Sequence, residues 1–246
     1  MPEAAEDVAT EVNGVVFGAE IPLTNIRKII GDRLTRSARD VPHVYFSCEV
    51  DCTEMIKFRS IFKDIVAKKS KGKLSYNDLI IKAVATTIEK YPLFNAVLED
   101  ETIKIGKSVD VGLALALEEG LIVPVIRETH RKSLSHICLA RQTVIQKAQD
   151  KKLTMDDLTG STFTVSNLGQ FNIDFFTSII NPPETAILSV ARMKDRAVVV
   201  DGELAVRPIM KMGLSIDHRI VDGADGARFL EDLQTLLENP FEMCTI

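Results

Sequence analysis

The chain has 246 residues, with 30 Lys and Arg against 35 Asp and Glu and a formal net charge of −5. Hydrophobic residues make up 46% of it, which excludes a disordered protein and supplies a buried core for one large domain or two small ones. The acidic excess disfavours a nucleic-acid partner, because binding to phosphates requires a positive surface.

Membrane insertion and bound metal are also disfavoured by the sequence. Apolar runs such as residues 113–117 are far shorter than the roughly 18 residues of a membrane-spanning helix. The first twenty residues contain acids and no Lys or Arg, unlike a secretory signal, so we expect a cytoplasmic protein with no membrane partner. Cys48, Cys52, Cys138 and Cys244 form no C-x-x-C pair, so we expect reduced thiols and no metal site.

Small and acidic residues without apolar periodicity fill positions 1–20, where we predict a mobile linker remnant, followed by a single domain over residues 21–246. Beyond the linker, apolar residues recur at helical spacing in several segments. Six helices are predicted. The first follows Thr24 and ends before Pro42, the second carries apolar residues at 55–65, and the third runs from 79 to 90 after a capping box of Ser75 and Asp78. The fourth follows Ser133, the fifth begins at Thr154 with Asp157, and the sixth covers 229–237.

Shorter apolar runs, rich in β-branched and alternating residues, are typical of strands. They cover residues 43–51, 96–98, 102–105, 109–117, 121–126, 162–166, 186–190, 197–200, 203–209 and 210–216. Turns are predicted at Glu118-Glu119-Gly120 and at Asp201-Gly202. Helices and strands mix without strict alternation, so we predict an α+β fold with a large mixed β-sheet and helices packed on it.

The most informative polar cluster follows the last predicted strand, where His218 and Asp222 precede Gly223 and the final helix. A rigid strand end can hold a reactive side chain in place. Imidazole titrates near neutral pH, which suits a general base, and an acid four residues later can orient it. The same spacing also fits a His–Asp pair that only stabilises the turn. A metal site is a weaker hypothesis, because the other three histidines show no ligand spacing with His218.

A second segment, F-T-V-S-N-L-G at 163–169, is a strand of alternating hydroxyl and apolar residues that ends near Ser166. A serine at a strand end can be a nucleophile or can donate a hydrogen bond to an oxyanion. The G-x-S-x-G elbow of the α/β serine hydrolases is absent from this segment. An ordinary strand-capping role for Ser166 therefore stays open on this evidence.

Taken together, these segments resemble the catalytic domain of the dihydrolipoyl acyltransferases, the core components of 2-oxo acid dehydrogenase complexes. The matching motifs are D-H-R-I-V-D-G-A-D-G-A-R-F-L at 217–230, F-T-V-S-N-L-G at 163–169 and I-I-N-P-P-E-T-A-I-L at 179–188, with further matches at 21–34, 41–44 and 120–127 in the same order. The resemblance implies that residues 21–246 form an acyltransferase catalytic domain with the two-layer fold of chloramphenicol acetyltransferase.

By position, the resemblance implies that His218 is the general base, Asp222 its partner acid and Ser166 the hydroxyl that stabilises the tetrahedral oxyanion. It implies coenzyme A (as acetyl-CoA) and lipoamide as substrates, with no metal. The acetyl-transferring branch, of the pyruvate or acetoin type, is the better match, because succinyl-transferring members typically carry Thr-Asn-Gly-Gly where this chain has Ser-Asn-Leu-Gly at 166–169. Branched-chain members have similar segments, so that alternative stays open.

The resemblance also implies an assembly. Homotrimers would form a hollow cubic or dodecahedral core, with His218 of one subunit facing Ser166 of its neighbour, in the cytoplasm or, in a eukaryote, the mitochondrial matrix. The expected partners are the 2-oxo acid dehydrogenase and dihydrolipoamide dehydrogenase components and a lipoyl domain. No lipoyl motif occurs in this chain, so we expect either an isolated catalytic fragment or a member that lipoyl domains serve in trans. A serine hydrolase with Ser166 as nucleophile and a catalytically silent scaffold remain alternative hypotheses.

Overall fold

The computed structural model of the protein describes residues 11–12, 15–16, 18–70, 72–117 and 120–244. The strands are β1 (Glu11–Val12), β2 (Val15–Val16), β3 (His43–Asp51), β4 (Ala96–Glu99), β5 (Thr102–Ile105), β6 (Val111–Leu117), β7 (Gly120–Ile122), β8 (Val125–Ile126), β9 (Phe163–Asn167), β10 (Ala186–Val200) and β11 (Glu203–Asp217). The α-helices are α1 (Asn25–Asp40), α2 (Thr53–Ser70), α3 (Tyr76–Lys90), α4 (Leu134–Gln149), α5 (Met155–Leu158) and α6 (Gly223–Glu238). Short 3₁₀ helices cover Pro92–Asn95, Thr129–Arg131 and Pro240–Cys244.

Within the described residues, seven strands form one mixed sheet in the order β3-β11-β10-β9-β6-β7, with β8 also paired to β6. Strand β9 runs parallel to both of its neighbours, β10 and β6, whereas β3, β11 and β10 are antiparallel to one another. The mixed sheet with helices packed on it confirms the α+β prediction. None of the helices in the described part of the chain is long and apolar enough to cross a membrane.

One face of the sheet carries large apolar side chains and packs against α3 and α6. Phe163 and Val165 of β9 and Leu188 of β10 are fully buried there, in one cluster with the buried residues of both helices. The ring centroid of Phe229 in α6 lies 4.0 Å from that of Phe94 and 5.8 Å from that of Phe163. Burial of side chains of this size contributes about 1.5–3 kcal/mol each.

The opposite face of the sheet is lined with small residues and is covered by the loop between β9 and β10. The Ser215 hydroxyl donates a hydrogen bond to the Ser178 carbonyl oxygen at 2.8 Å, and the hydroxyls of Ser178 and Ser189 lie 2.7 Å apart. A Cβ atom added at Gly213 would lie 3.0 Å from the ring of Phe175. The loop backbone therefore lies directly on the strands, and larger side chains at these positions would displace it.

Several predicted helix starts are confirmed by their caps. The Thr24 side chain accepts a hydrogen bond from the Arg27 N–H, and the Ser133 side chain accepts one from the His136 N–H. Thr154 opens α5 with the predicted capping box. Helix α3 begins three residues before the predicted start at residue 79, because the capping box of Ser75 with Asp78 makes Ser75 the N-cap residue.

Predicted strand boundaries were wrong in the second half of the chain. The runs at 186–190 and 197–200 belong to one strand, β10, and those at 203–209 and 210–216 belong to β11. The charged residues between the first two runs do not end the strand, because Arg192, Lys194 and Arg196 all contact Asp174 while the pairing with β11 continues past a bulge. The predicted turn at 201–202 is confirmed, with positive φ at both residues.

Two other strand predictions also need correction. The run at 121–126 divides into β7 and β8 at Pro124, which has no N–H to donate and whose carbonyl oxygen accepts a hydrogen bond from Leu113. The strand predicted from residue 109 begins at Val111, because the Val109 carbonyl oxygen binds Thr129 instead of a sheet neighbour.

Part of two predictions lies outside the described residues. They are the turn at 118–119 and most of the linker at 1–20. In the described part of residues 1–20, β1 pairs with β2. The four cysteines are free thiols, as predicted. Burial raises the pKa of Cys48 and of Cys52 to about 12 each, so both thiols stay protonated at neutral pH.

A buried ion pair fixes the beginning of α3. Arg141 of α4 donates two hydrogen bonds to the fully buried carboxylate of Asp78, at 2.6 and 3.2 Å, and a third to the Lys73 carbonyl oxygen at 3.0 Å. The same carboxylate accepts a hydrogen bond from the Ser75 N–H at 2.7 Å. One carboxylate thus ties the N-terminus of α3 to α4.

Removal of the arginine should destabilise the fold strongly, because the Asp78 carboxylate would remain buried without its partner charge. We expect Arg141→Met to lower the free energy of unfolding by about 3–5 kcal/mol in urea denaturation at pH 7. The control is Arg131→Met, which removes an exposed ion pair with Glu128 and should cause no measurable loss. Equal, small effects of the two substitutions would contradict this role for Asp78.

Candidate active site

His218 lies in a tight turn at the end of β11 that is held by its two neighbours. The buried carboxylate of Asp217 accepts hydrogen bonds from the Arg219 backbone N–H at 3.0 Å and from the guanidinium at 2.6 and 3.0 Å. This contact raises the pKa of Arg219 above its ordinary value. The His218 N–H donates to the Pro42 carbonyl oxygen at 3.0 Å. The backbone of His218 is therefore held from both sides of the turn.

The side chains of His218 and Asp222 are close, but they are not hydrogen-bonded. Nδ1 of His218 lies 3.9 Å from Oδ1 of Asp222, which is beyond hydrogen-bond distance. Both side chains are accessible, with exposed fractions of 44% and 85%. Asp222 is the N-cap residue of α6, although its side chain makes no capping hydrogen bond. The two side chains are thus close in space and lie open to solvent or to another chain.

Ser166 lies in β9, on the edge of a cavity of about 580 Å³. The cavity walls are mostly apolar, with Leu115 and Leu121 on one side and Val190 and Met193 on another. A few polar residues also line the cavity near Ser166, and they include Asn77 and Asn167. A largely apolar cavity with a few fixed polar groups is typical of a small-molecule site.

The sheet register separates Ser166 from His218 within one chain. Ser166 pairs with Ser189 of β10, and Ser189 pairs with Gly213 of β11, four residues before Asp217. With a rise of about 3.3 Å per residue and about 4.8 Å between strands, the Cα atoms of Ser166 and Asp217 lie about 16 Å apart. Groups that act on the same reacting atom must approach to about 3 Å of it. The structure therefore brings His218 and Asp222 together but leaves Ser166 at a different place in the chain.

The turn after Ser166 is held by the side chain of Asn167. Oδ1 of Asn167 accepts a hydrogen bond from the Gly169 N–H at 2.7 Å, and the Leu168 N–H donates to the Val190 carbonyl oxygen at 2.9 Å. A Cβ atom at Gly169 would lie 2.8 Å from Oδ1 of Asn167 and 3.2 Å from the Ala191 carbonyl oxygen. A larger residue at 169 would therefore displace the Asn167 amide and crowd the Ala191 carbonyl oxygen.

A buried carboxyl group, Glu184, supports the strand that carries Ser166. Its Oε1 atom accepts hydrogen bonds from the hydroxyls of Ser161 and Thr164 and from the Asn181 side-chain amide. Oε2 is buried and, among the described residues, has no hydrogen-bond partner. Burial raises the pKa of Glu184 to about 7, against the opposing effect of the three donors. Glu184 thus joins β9 to the loop that precedes β10.

Structural roles account for other polar residues near the site. His43 Nδ1 donates to the Val41 carbonyl oxygen at 2.7 Å, which leaves Nε2 to accept from the Ile180 N–H at 3.1 Å. The described residues contain no group of three or more His, Cys, Asp or Glu side chains arranged to hold a metal ion. What the geometry offers for chemistry is an accessible imidazole beside a carboxylate, and a hydroxyl at the edge of an apolar cavity.

Comparison with known proteins first identifies the class. The fold is that of chloramphenicol acetyltransferase, which the chain matches with a TM-score of 0.53 at 15% identity over 84% of this chain and 94% of that one. The family model for the 2-oxoacid dehydrogenases acyltransferase (catalytic domain) matches residues 18–245. The chain belongs to this family, which confirms the predicted fold and family.

Particular relatives agree with this assignment. The acetyltransferase component of the Schizosaccharomyces pombe mitochondrial pyruvate dehydrogenase complex is 41% identical over 227 residues, which are 91% of this chain and 47% of that protein. The succinyltransferase component of the 2-oxoglutarate dehydrogenase complex of Rickettsia typhi is 36% identical over 220 residues, 89% of this chain and 55% of that protein. The chain spans about half the length of the curated relatives it matches.

Solved structures cover the chain more completely. The dihydrolipoamide acetyltransferase of Azotobacter vinelandii matches with a TM-score of 0.87 and 35% identity, over 92% of this chain and 93% of that one. That structure was determined to investigate the role of a serine, a histidine and an asparagine in the catalytic mechanism of the enzyme. The cubic core of a pyruvate dehydrogenase multienzyme complex also matches with a TM-score of 0.87, at 34% identity over 99% of this chain and 98% of that one.

Sequence reasoning did not single out three residues that hold the site together. Arg219 lies inside the recognised motif, but its contact with Asp217 was not inferred from it. Glu184 follows two prolines and gives no local signal of its partners on β9. Asn77 lies two residues after the Ser75 cap, so its place in the first turn of α3 could have been predicted, but the hydrogen bond that it accepts from the Asn167 amide, 90 residues away, could not.

The raised pKa of Glu184 should make stability depend on pH. The unfolded carboxyl group ionises near its ordinary value of 4.5, whereas the folded one keeps its proton up to about pH 7. The folded state therefore gains relative stability below pH 4.5, and this contribution is lost as pH rises through 7. In the parent protein, this loss should lower the free energy of unfolding by up to about 3 kcal/mol between pH 4.5 and pH 8. The Glu184→Gln variant, whose amide resembles the protonated carboxyl group, should not show this decrease.

Urea unfolding at several pH values measures this effect. The exposed Glu101→Gln is the matched control and should keep the pH dependence of the parent protein. A parent protein and an E184Q variant with the same pH profile would show that Glu184 does not hold its proton in the folded state.

Proposed function

We propose that the chain is an acyltransferase that moves an acetyl group between dihydrolipoamide and coenzyme A. The observation that carries this proposal is a spacing. In the Azotobacter vinelandii enzyme, the serine and histidine whose catalytic roles were investigated are 52 residues apart, and the asparagine follows four residues after the histidine. Ser166, His218 and Asp222 have the same two spacings in this chain.

The chemistry is a transfer between two sulfur atoms. An alkyl thiol is mostly protonated at neutral pH, so the thiol of coenzyme A needs a base. His218 takes the thiol proton as the sulfur attacks the carbonyl carbon of the acetyl-dihydrolipoyl thioester, and the tetrahedral oxyanion accepts a hydrogen bond from Ser166. The intermediate then loses the dihydrolipoyl sulfur, which takes the proton from the imidazolium. The products are acetyl-CoA and dihydrolipoamide.

Asp222 acts indirectly in this reaction. Oδ1 of Asp222 lies 3.9 Å from Nδ1 of His218, and a contact of this length can tighten to a hydrogen bond when substrate binds. The relative from Azotobacter vinelandii carries an asparagine at the corresponding spacing, so the role does not depend on a full negative charge. We assign Asp222 to the orientation of the imidazole rather than to proton transfer.

The separation of about 16 Å between the two halves of the site supports a shared active site. We propose that His218 of one subunit faces Ser166 of a neighbouring subunit in a homotrimer, and that trimers assemble into a hollow core. The match to the cubic core of a pyruvate dehydrogenase complex supports a multimeric core. The His218–Asp222 pair is accessible enough for this arrangement, since 44% of the histidine side chain is exposed.

Acetyl transfer is the preferred reaction because of the cavity beside Ser166. Among the described residues, none of those that line the cavity is Lys, Arg or His. A succinyl carboxylate in this cavity would be buried without a positively charged partner, which is costly. Succinyl transfer is the second candidate, because a succinyltransferase component is 36% identical to this chain. A higher kcat/KM for succinyl-CoA than for acetyl-CoA would favour it; branched acyl-CoA substrates test the remaining family alternative.

The remaining components follow from the reaction. A lipoyl domain presents the lipoyl group, and the 2-oxo acid dehydrogenase and dihydrolipoamide dehydrogenase components are the enzymes that load and reoxidise it. No step of the reaction uses a metal. We propose that the protein works where these components meet, in the cytoplasm or the mitochondrial matrix.

Replacement of the proposed base tests the reaction directly. We expect His218→Ala to lower the kcat of acetyl transfer from acetyl-CoA to free dihydrolipoamide by about 10²–10⁴-fold, because the thiol loses its proton acceptor. The control is His136→Ala, an exposed histidine of α4, which should keep the parent rate. A His218→Ala rate within about threefold of the parent would contradict the proposed role.

The serine hydrolase hypothesis has a different signature. If Ser166 were the nucleophile, acid quenching during turnover would trap an acetyl group on Ser166, detectable by mass spectrometry. In the proposed reaction the acetyl group passes directly between the two sulfurs, so no acetylated Ser166 is expected.

A further inference from the structure

A hydrogen bond across the cavity joins α3 to the turn that follows Ser166. The side-chain amide of Asn167 donates from Nδ2 to Oδ1 of Asn77 at 2.5 Å, while its own Oδ1 accepts from the Gly169 N–H at 2.7 Å. The two contacts use opposite ends of one amide group. They determine the orientation of the Asn167 amide. If it were flipped, its NH₂ group would face the Gly169 N–H, and its oxygen would face Oδ1 of Asn77.

The Asn77 end of this contact is rigid. Asn77 lies in the first turn of α3, between the N-cap Ser75 and Asp78. The carboxylate of Asp78 is fully buried and is held by two hydrogen bonds from Arg141. Asn77 is therefore presented by the most strongly anchored end of the helix, whereas the turn at 167–169 is partly exposed.

We propose that Asn77 is a positioning residue for Ser166, and that it acts through Asn167. Asn167 follows Ser166 directly at the end of β9, so the orientation of its side chain and the path of its backbone set where the Ser166 hydroxyl lies on the cavity edge. This inference rests on the proposed function, in which Ser166 donates to the oxyanion.

The physical effect of losing Asn77 follows from hydrogen-bond satisfaction. Without Oδ1 of Asn77, the partly buried Nδ2 of Asn167 has no acceptor, so the amide rotates or moves toward water to regain one. Either response disturbs the contact with Gly169 and shifts the end of β9. A displacement of about 1 Å at a group that acts in the transition state can cost about 10²-fold in rate.

The first experiment separates catalysis from binding and stability. We expect Asn77→Ala to lower kcat by about 10–100-fold with KM changed less than about threefold, because the oxyanion forms only in the transition state. Alanine is a good helix former, so the melting temperature should change little. The control is Thr87→Val, which removes a buried side-chain hydrogen bond from the same helix, far from Asn167, and should keep the parent kcat.

A double-mutant cycle shows whether Asn77 acts through Ser166. Ser166→Ala alone should lower kcat by about 10²–10³-fold. In that background, Asn77→Ala should lower kcat by less than about twofold, because there is no hydroxyl left to position. Asn167→Ala should behave like Asn77→Ala, and the two together should cost no more than either one alone.

The outcomes distinguish this inference from the proposed function. If Ser166→Ala lowers kcat but Asn77→Ala does not, the inference is wrong and the proposed function stands. If Asn77→Ala costs the same factor with and without Ser166, Asn77 acts independently of the hydroxyl and the inference is again wrong. If Ser166→Ala leaves kcat unchanged, the oxyanion role fails, and with it any positioning role for Asn77.

Discussion

The pairing register of β9, β10 and β11 determines where the reactive side chains can act. Ser166 is level with Ser189 and Gly213, whereas His218 follows the end of β11, one residue beyond Asp217. Strand geometry places the Cα atoms of Ser166 and Asp217 about 16 Å apart, which is too far for Ser166 and His218 of one chain to act on the same atom. In the proposed reaction, which uses both groups, His218 and Ser166 come from different subunits. Assembly is therefore a condition for chemistry in this account, and not only a means of organising partner enzymes.

Each half of the site is held by its own set of buried polar contacts. Asp217 and Arg219 hold the His218 turn, and the hydroxyls and amide around Glu184 hold β9 against the loop before β10. Neither set depends on the other half of the site. The small residues on the loop-covered face of the sheet allow the loop backbone to lie close to β10 and β11.

Local signals in the sequence predicted the helices and the family well. Caps at Thr24, Ser133 and Thr154 determined helix starts because they satisfy backbone N–H groups within a few residues. The long strands were less predictable, since the charges at 192–196 interrupt the apolar pattern although their ion contacts with Asp174 let the strand continue. The Asn77–Asn167 contact spans 90 residues and leaves no local signal. The roles proposed for Ser166, His218 and Asp222 rest on the ordered motifs, because spacing alone also fitted a structural pair.

The most direct test of the shared site mixes two inactive chains. Trimers assembled at random from equal amounts of His218→Ala and Ser166→Ala chains should contain two intact residues at roughly a quarter of their interfaces, by cyclic symmetry. We predict that acetyl transfer reappears in the co-purified mixture at about that fraction of the parent rate. If both residues acted within one chain, every site would carry a lesion. A mixed assembly no more active than its two parents would contradict the account.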